Sequence, residues 1–88
     1  MIVWIWDAIG PAADACGVAG TAEAARRAAD SLLASGRARA ARVEQAAVVI
    51  DLALTYGYCP TGRAWAGRME SGSPAWVPVP CQPERAAL

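Results

Sequence analysis

Residues 21–50 run TAEAARRAADSLLASGRARAARVEQAAVVI, and they decide the fold because they hold the clearest helix and the longest strand-like segment. Thr21 offers a side-chain oxygen as an N-cap, Glu23 puts a carboxylate in the first turn, and Gly36 follows as an end signal. Between them, alanines and leucines recur at helical spacing. The pattern predicts a helix over residues 21–35 whose buried face is mostly methyl groups.

The segment after Gly36 fits two structures. Its apolar residues lie on one stripe if it is helical, and they also alternate with polar residues as in a strand. The β-branched triplet Val48-Val49-Ile50 costs more in a helix than in a strand. We therefore predict a strand over residues 40–50, with a second helix at about 38–54 as the alternative.

The flanking segments predict the rest of the sheet. Residues 2–6 are β-branched and aromatic and predict a strand, followed by a loop through residues 16–20. Residues 58–62 carry turn signals, and residues 63–70 and 75–79 predict a hairpin around the loop 71–73. Prolines place its last strand at an edge. The prediction is one α+β domain, residues 1–80, in the order β-α-β-β-β with a mostly antiparallel sheet, and a flexible tail at 81–88.

Composition excludes several activities. The chain has 88 residues, no net charge and no histidine, so it lacks the imidazole of hydrolase triads and of most metal sites. Its three cysteines are widely spaced, which predicts reduced thiols and no zinc site or disulfide framework. No segment has the length and polarity of a membrane span or an export signal. We expect a cytoplasmic, non-enzymatic protein with no cofactor, no metal and no membrane partner.

One stretch near the C-terminus resembles a known group. Tyr58, Pro60, Thr61, Gly62 and Trp65 form a Tyr-x-Pro-Thr-Gly-x-x-Trp pattern. Together with the preceding alanine-rich helix, the pattern resembles small actinobacterial proteins, some of them encoded near plasmid-like or integrative elements. The resemblance implies a lineage and a mobile-element setting, and it implies no activity or site residue.

The tryptophans suggest an interaction surface. Strand alternation puts all four on one face, and puts small side chains on the other, namely Val3, Ile5, Ala64, Ala66, Ala75 and Val77. An alanine-rich helix packs closely, so we expect it to cover the small residues and leave the indoles as an open apolar patch. The opposite arrangement stays open because register is not visible in sequence. The open patch predicts a module that binds itself or another protein through Trp4, Trp6, Arg63, Trp65, Arg68 and Trp76.

Nucleic-acid binding is the alternative function. Arg63 and Arg68 flank Trp65 on the predicted hairpin, as in sheets that stack bases on aromatic rings. Phosphate contacts would then come from Arg37, Arg39 and Arg42. The zero net charge and a pI of about 6.1 disfavour this function, because nucleic-acid affinity draws on an excess of basic residues.

Overall fold

The described residues form a five-stranded sheet with one helix on one face. The computed structural model describes residues 1–11, 13–50 and 56–79. Its elements in chain order are β1 (Ile2–Ile9), β2 (Asp14–Ala19), α1 (Ala22–Ala34), β3 (Ala40–Ile50), β4 (Tyr56–Glu70) and β5 (Ser73–Val79). Neighbouring strands are antiparallel in the order β2-β1-β3-β4-β5, which makes β3 the central strand. The predicted α+β class is confirmed. The tail at 81–88 lies outside the described residues.

Helix α1 begins and ends where the sequence signals place it. The backbone N–H of Ala24 donates to Oγ1 of Thr21 at 3.1 Å, which caps the N-terminus. Ser35 is the C-cap, and Gly36 follows with a φ of 78°, a left-handed conformation that favours glycine. The predicted helix over 21–35 is therefore confirmed, with its two end residues acting as caps.

The ambiguous segment is a strand over Ala40–Ile50, so the second-helix alternative is wrong for those residues. Residues 51–54, the remainder of that alternative, lie outside the described part of the chain. Pairing with β1 on one side and β4 on the other provides hydrogen-bond partners for the backbone N–H and C=O groups of β3 along most of its length. A central position suits the β-branched residues better than a helix would.

Strand β2 was expected to be part of a loop. The glycines of residues 16–20 are typical of loops, but Asp14–Ala19 pairs with β1 as an edge strand, with Trp6 opposite Gly17. The predicted order β-α-β-β-β holds, with this one strand added before the helix.

The β4–β5 hairpin differs from the prediction at one end. Residues 58–62 were expected to form a turn, but they belong to the long strand β4. The register with β3 shifts between Glu44 and Ala46, and a φ of 98° at Gly62 accompanies this irregularity. At the other end Ser71 and Gly72, both with positive φ, form the tight turn that opens β5. β5 is an edge strand, as its prolines predict.

The core lies between α1 and the sheet. Ala25, Ala29 and Leu33 of α1 are buried against Ala8, Ala41 and Val43 of β1 and β3. Only Leu33 and Val43 are large side chains with less than 2% exposure among the described residues. Most of the core volume must therefore come from partly buried side chains next to these alanines.

Candidate functional site

The four tryptophans supply that volume, so the expectation that they form the uncovered face is wrong. They do share one face of the sheet, as strand alternation predicts, but it is the face that α1 covers. Trp4 is buried with Ala25 of the helix and Val43, and the other three, Trp6, Trp65 and Trp76, are half-buried around them. The physical reason is complementary size, because the methyl-sized helix face leaves room that only large side chains fill.

Specific contacts hold the indoles in place. The rings of Trp4 and Trp65 pack at a centroid distance of 5.4 Å, tilted by 40°. Nε1 of Trp76 donates a hydrogen bond of 2.7 Å to Oδ1 of Asp30 on α1. Trp4, Trp65 and Trp76 therefore stabilise the fold, because each ring packs or hydrogen-bonds within the chain.

Two glycines accommodate two of the indoles. Gly17 is the register partner of Trp6, and Gly67 is the register partner of Trp76. A Cβ at Gly17 would lie 2.7 Å from the Trp6 ring, and one at Gly67 would lie 2.8 Å from the Trp76 ring. Each indole therefore lies directly over a neighbouring strand where a side chain would clash.

The opposite face of the sheet, which we call the open face, has no helix over it in the described part of the chain. It carries the residues that were expected under the helix, together with others of the same alternation: Val3, Ile5, Ile9, Val18, Ala64, Ala66, Ala75 and Val77. Ile9, Val18 and Val77 are 48%, 53% and 56% exposed. Exposed aliphatic side chains on three strands of one uncovered sheet face are typical of an interaction surface.

An ion pair lies at the centre of the open face, on β3. Nη2 of Arg42 is 3.0 Å from Oε2 of Glu44, and the two side chains are 36% and 25% exposed. Nε of Arg42 is buried and has no hydrogen-bond partner within the described residues. Because a buried donor without an acceptor is costly, the open face contains one polar group whose bonding is incomplete. Asp7, exposed on β1, is the register neighbour of Arg42 on this face.

A hollow floored by alanines occupies the β4–β5 half of the open face. It has a volume of about 370 Å³, and Ala40, Ala66, Ala75 and Val77 line it, with Arg68 and Glu70 at one end. Nε of Arg68 lies 3.4 Å from Oε2 of Glu70, and the Arg68 side chain is 72% exposed. The β1–β2 half of the same face carries the bulkier Ile5, Ile9 and Val18. The open face therefore carries larger aliphatic side chains on β1 and β2 than on β4, where Ala64 and Ala66 lie.

The arginines of the alternative function are dispersed. Arg37 and Arg39 are exposed in the connection before β3, whereas Arg63 is exposed near Gln45, about 20 Å further along β3 at the usual strand rise. Arg42 and Arg68 are on the open face, and each contacts a glutamate. The structure therefore does not gather the candidate arginines into one patch with Trp65 and Trp76.

The described residues also bear on metal binding, membrane crossing and the state of the thiols. In that part of the chain no three His, Cys, Asp or Glu side chains form a group that could hold a metal ion. No helix there is long and apolar enough to cross a membrane. Cys16 and Cys59 are exposed and unbridged. Comparison with protein-family models, curated proteins and solved structures finds no match.

The open face could not be selected from the sequence, because alternation tells which residues share a face and not which face the helix covers. One signal was available for the correct choice. A glycine inside a strand often marks close approach of another group. Gly67 shares the strand face of Trp65, whereas Ala64 and Ala66 lie on the other face. A glycine among the tryptophans therefore indicates that their face is crowded and covered.

Proposed function

We propose that this chain is a non-enzymatic interaction module that binds a second copy of itself through the open face. The observation that carries the proposal is the set of exposed apolar side chains on a sheet whose other face is already filled by α1 and the tryptophans. Ile9, Val18 and Val77 project from three different strands of this face. A second copy presents the same apolar surface, so a two-fold contact removes both surfaces from water at once.

The face is large enough for a dimer. Five strands about 4.8 Å apart and some seven residues at about 3.3 Å each give roughly 500 Å² per copy. Two copies then bury about 1,000 Å², the lower bound for a specific interface. With about 600 Å² of that area apolar, burial contributes about 15 kcal/mol before the association cost of about 4–15 kcal/mol. We therefore expect a weak dimer, with a Kd in the micromolar range.

The open face, and not the tryptophan cluster, is the contact surface in this proposal. Trp4, Trp6, Trp65 and Trp76 contribute by holding the sheet against α1. Arg68 is the one sequence-nominated contact residue that the open face retains. This role makes no use of Arg63, which is exposed beside the β4 irregularity.

Sedimentation equilibrium over about 1–500 μM protein tests the proposal, because a micromolar dimer dissociates within this range. The mean mass is expected to rise from 9.1 kDa toward twice that value. Val77→Arg places a charge on the open face at a position 56% exposed, and should keep the protein monomeric. Ala34→Arg, at an exposed position in the last turn of α1, is the matched control and should dimerise normally. A wild-type protein that stays monomeric throughout, or equal dimerisation by both variants, contradicts the proposal.

The cellular setting belongs to the same proposal. Unbridged Cys16 and Cys59 favour the cytoplasm, where thiols stay reduced. The actinobacterial resemblance favours a role beside a plasmid-like or integrative element, in which a small self-associating module would act as an accessory protein.

A further inference from the structure

We propose that the free edge of β2 binds an extended peptide segment of another protein, which joins the sheet as a sixth strand. The contact uses backbone groups of β2 and a notch on the face that α1 covers. It therefore goes beyond the proposed function and does not involve the open face. Strand addition of this kind takes its affinity from main-chain hydrogen bonds and its specificity from pockets for alternate side chains.

Alternate residues of β2 direct their backbone groups away from the sheet. The N–H of Val48 donates to the C=O of Met1 at 2.8 Å, which makes these two residues a hydrogen-bonded pair between β3 and β1. Because such pairs alternate along an antiparallel ladder, the even-numbered residues of β1 direct their backbone groups toward the odd-numbered residues of β2. The N–H and C=O groups of Asp14, Cys16 and Val18 therefore point outward, where no strand of the described sheet pairs with them.

Other free edges of the described sheet lack the donors that β2 offers. Carried across β3 and β4, the same alternation turns Pro74, Trp76 and Pro78 of β5 outward. The two prolines have no N–H to donate to β4, so their outward position agrees with this alternation. Pro60 interrupts the part of β4 that extends beyond β5. Prolines oppose pairing with a further strand, and β2 has none, so of these edges β2 is the one open to strand addition.

A notch with a largely apolar lining lies beside the β2 edge, on the face that α1 covers. It has a volume of about 390 Å³, and its lining includes Ala8, Ala15, Leu32, Arg37 and Ala38. Successive side chains of an added strand point to opposite faces, so the residue opposite Ala15 points toward α1. A leucine at that position reaches the notch and buries part of its apolar surface there.

Arg37 sets the charge of the incoming segment. Its side chain is exposed and forms no ion pair with another described residue, and Asp14 alternates to the open face. Neighbouring strands of this sheet are all antiparallel, so an added antiparallel strand runs toward the start of β2, where Arg37 lies. Two residues after the leucine, an acidic side chain is again on the α1 side and faces the guanidinium of Arg37. The ligand is therefore an extended segment with the pattern apolar-x-acidic.

A synthetic peptide tests the site directly. The probe is fluorescein-Ser-Thr-Val-Thr-Leu-Thr-Glu-amide, titrated with the full chain carrying Val77→Arg so that association through the open face does not contribute. Fluorescence anisotropy should give a Kd below about 1 mM, because the main-chain hydrogen bonds supply the affinity. Alanine in place of the peptide's leucine should weaken binding about tenfold through lost apolar burial. Glutamine in place of its glutamate should weaken binding about two- to fivefold.

Methylation of single peptide nitrogens tests whether the ligand is a strand of the sheet. With the leucine opposite Ala15, the threonines on either side of it lie opposite Asp14 and Cys16 and form hydrogen-bonded pairs with them. N-methylation of either threonine should weaken binding at least about tenfold, because it removes a donor and blocks close approach of the strands. N-methylation of the leucine is the matched control. Its N–H points away from β2, so Kd should change by less than about threefold.

Variants of the protein test the same contacts from the other side. Cys16→Pro removes an outward N–H without removing a donor to β1, and should weaken binding of the probe at least about fivefold. Arg37→Gln should abolish the preference for glutamate over glutamine in the peptide. Arg26→Gln is its matched control, because Arg26 is also exposed but lies on α1 outside the notch, and the preference should remain. Thermal unfolding checks that each variant folds.

The outcomes separate this inference from the proposed function. Binding that needs the leucine, both threonine N–H groups and Arg37 supports the inference. A Kd weaker than about 1 mM, or equal effects of methylation at threonine and leucine, overturns it. Amide NMR shifts at Asp14, Cys16 and Val18 that grow with protein concentration in the absence of peptide would assign the edge to a second copy and overturn it as well. None of these results depends on dimerisation of the wild-type protein, which sedimentation tests separately.

Discussion

A single methyl group added at Gly67 tests the packing of the tryptophans. A Cβ there would lie 2.8 Å from three ring carbons of Trp76, closer than carbon atoms pack in proteins. The indole cannot move aside freely, because its Nε1 is held 2.7 Å from Asp30. Gly67 is also buried, so the backbone has little room to shift. We predict that Gly67→Ala destabilises the fold.

The magnitude follows from two opposing effects. Overpacking a well-filled site costs about 1–3 kcal/mol. Alanine reduces the conformational freedom of the unfolded chain and so returns about 0.4–1 kcal/mol. The expected net loss is about 1–2 kcal/mol, which corresponds to a fall in Tm of roughly 5–15 °C for a domain of this size.

Thermal and urea unfolding followed by circular dichroism measure the change, at one low concentration so that association does not contribute. Gly20→Ala is the matched control, since a Cβ at Gly20 meets nothing within 4 Å, and it should be neutral or slightly stabilising. In a Trp76→Leu background the penalty of Gly67→Ala should largely disappear. The reasoning is refuted if Gly67→Ala is as stable as wild type, or if its penalty is the same with leucine at position 76.

Three further predictions address the helix, the buried hydrogen bond and the alternative function. Thr21→Ala removes the acceptor for the Ala24 N–H and should lower the free energy of unfolding by about 1 kcal/mol in urea titrations. Trp76→Phe loses the hydrogen bond to Asp30 and should cost about 1 kcal/mol more than Trp6→Phe in the same titration. Fluorescence-anisotropy titration with single-stranded and duplex DNA and RNA in low salt should show no binding at about 100 μM protein, because the arginines are dispersed and the net charge is zero. Binding that weakens with salt would instead favour the nucleic-acid function.

Local signals predicted most of the fold. The Thr21 cap and Gly36 define the ends of α1, and the Val48-Val49-Ile50 triplet correctly favours a strand. These signals act within a few residues of the chain, so a single sequence contains them. Strand β2 was missed because Gly17 looks like a loop residue until its partner Trp6 is known. That information is non-local.

The candidate site shows the same division. Alternation correctly grouped the tryptophans on one face and the small residues on the other, since that grouping depends only on the two-residue period of a strand. Which group α1 covers depends on how the volume between helix and sheet is filled. The alanines of α1 leave that volume to the indoles, and Ile9 and Val77 are left facing solvent as a consequence.

The two exposed thiols offer the most direct test of the central claim, that the open face is a self-association surface. Cys16 is the register partner of Asp7 and lies on the open face. Cys59 is the register partner of Ala47 and lies on the face of the tryptophans. A brief pulse of iodoacetamide, followed by peptide mass spectrometry, gives the alkylation rate of each thiol in one sample. Between about 1 μM and about 500 μM protein, we predict that the rate at Cys16 falls several-fold while the rate at Cys59 stays constant. An unchanged rate at Cys16, or an equal fall at both thiols, would contradict the account.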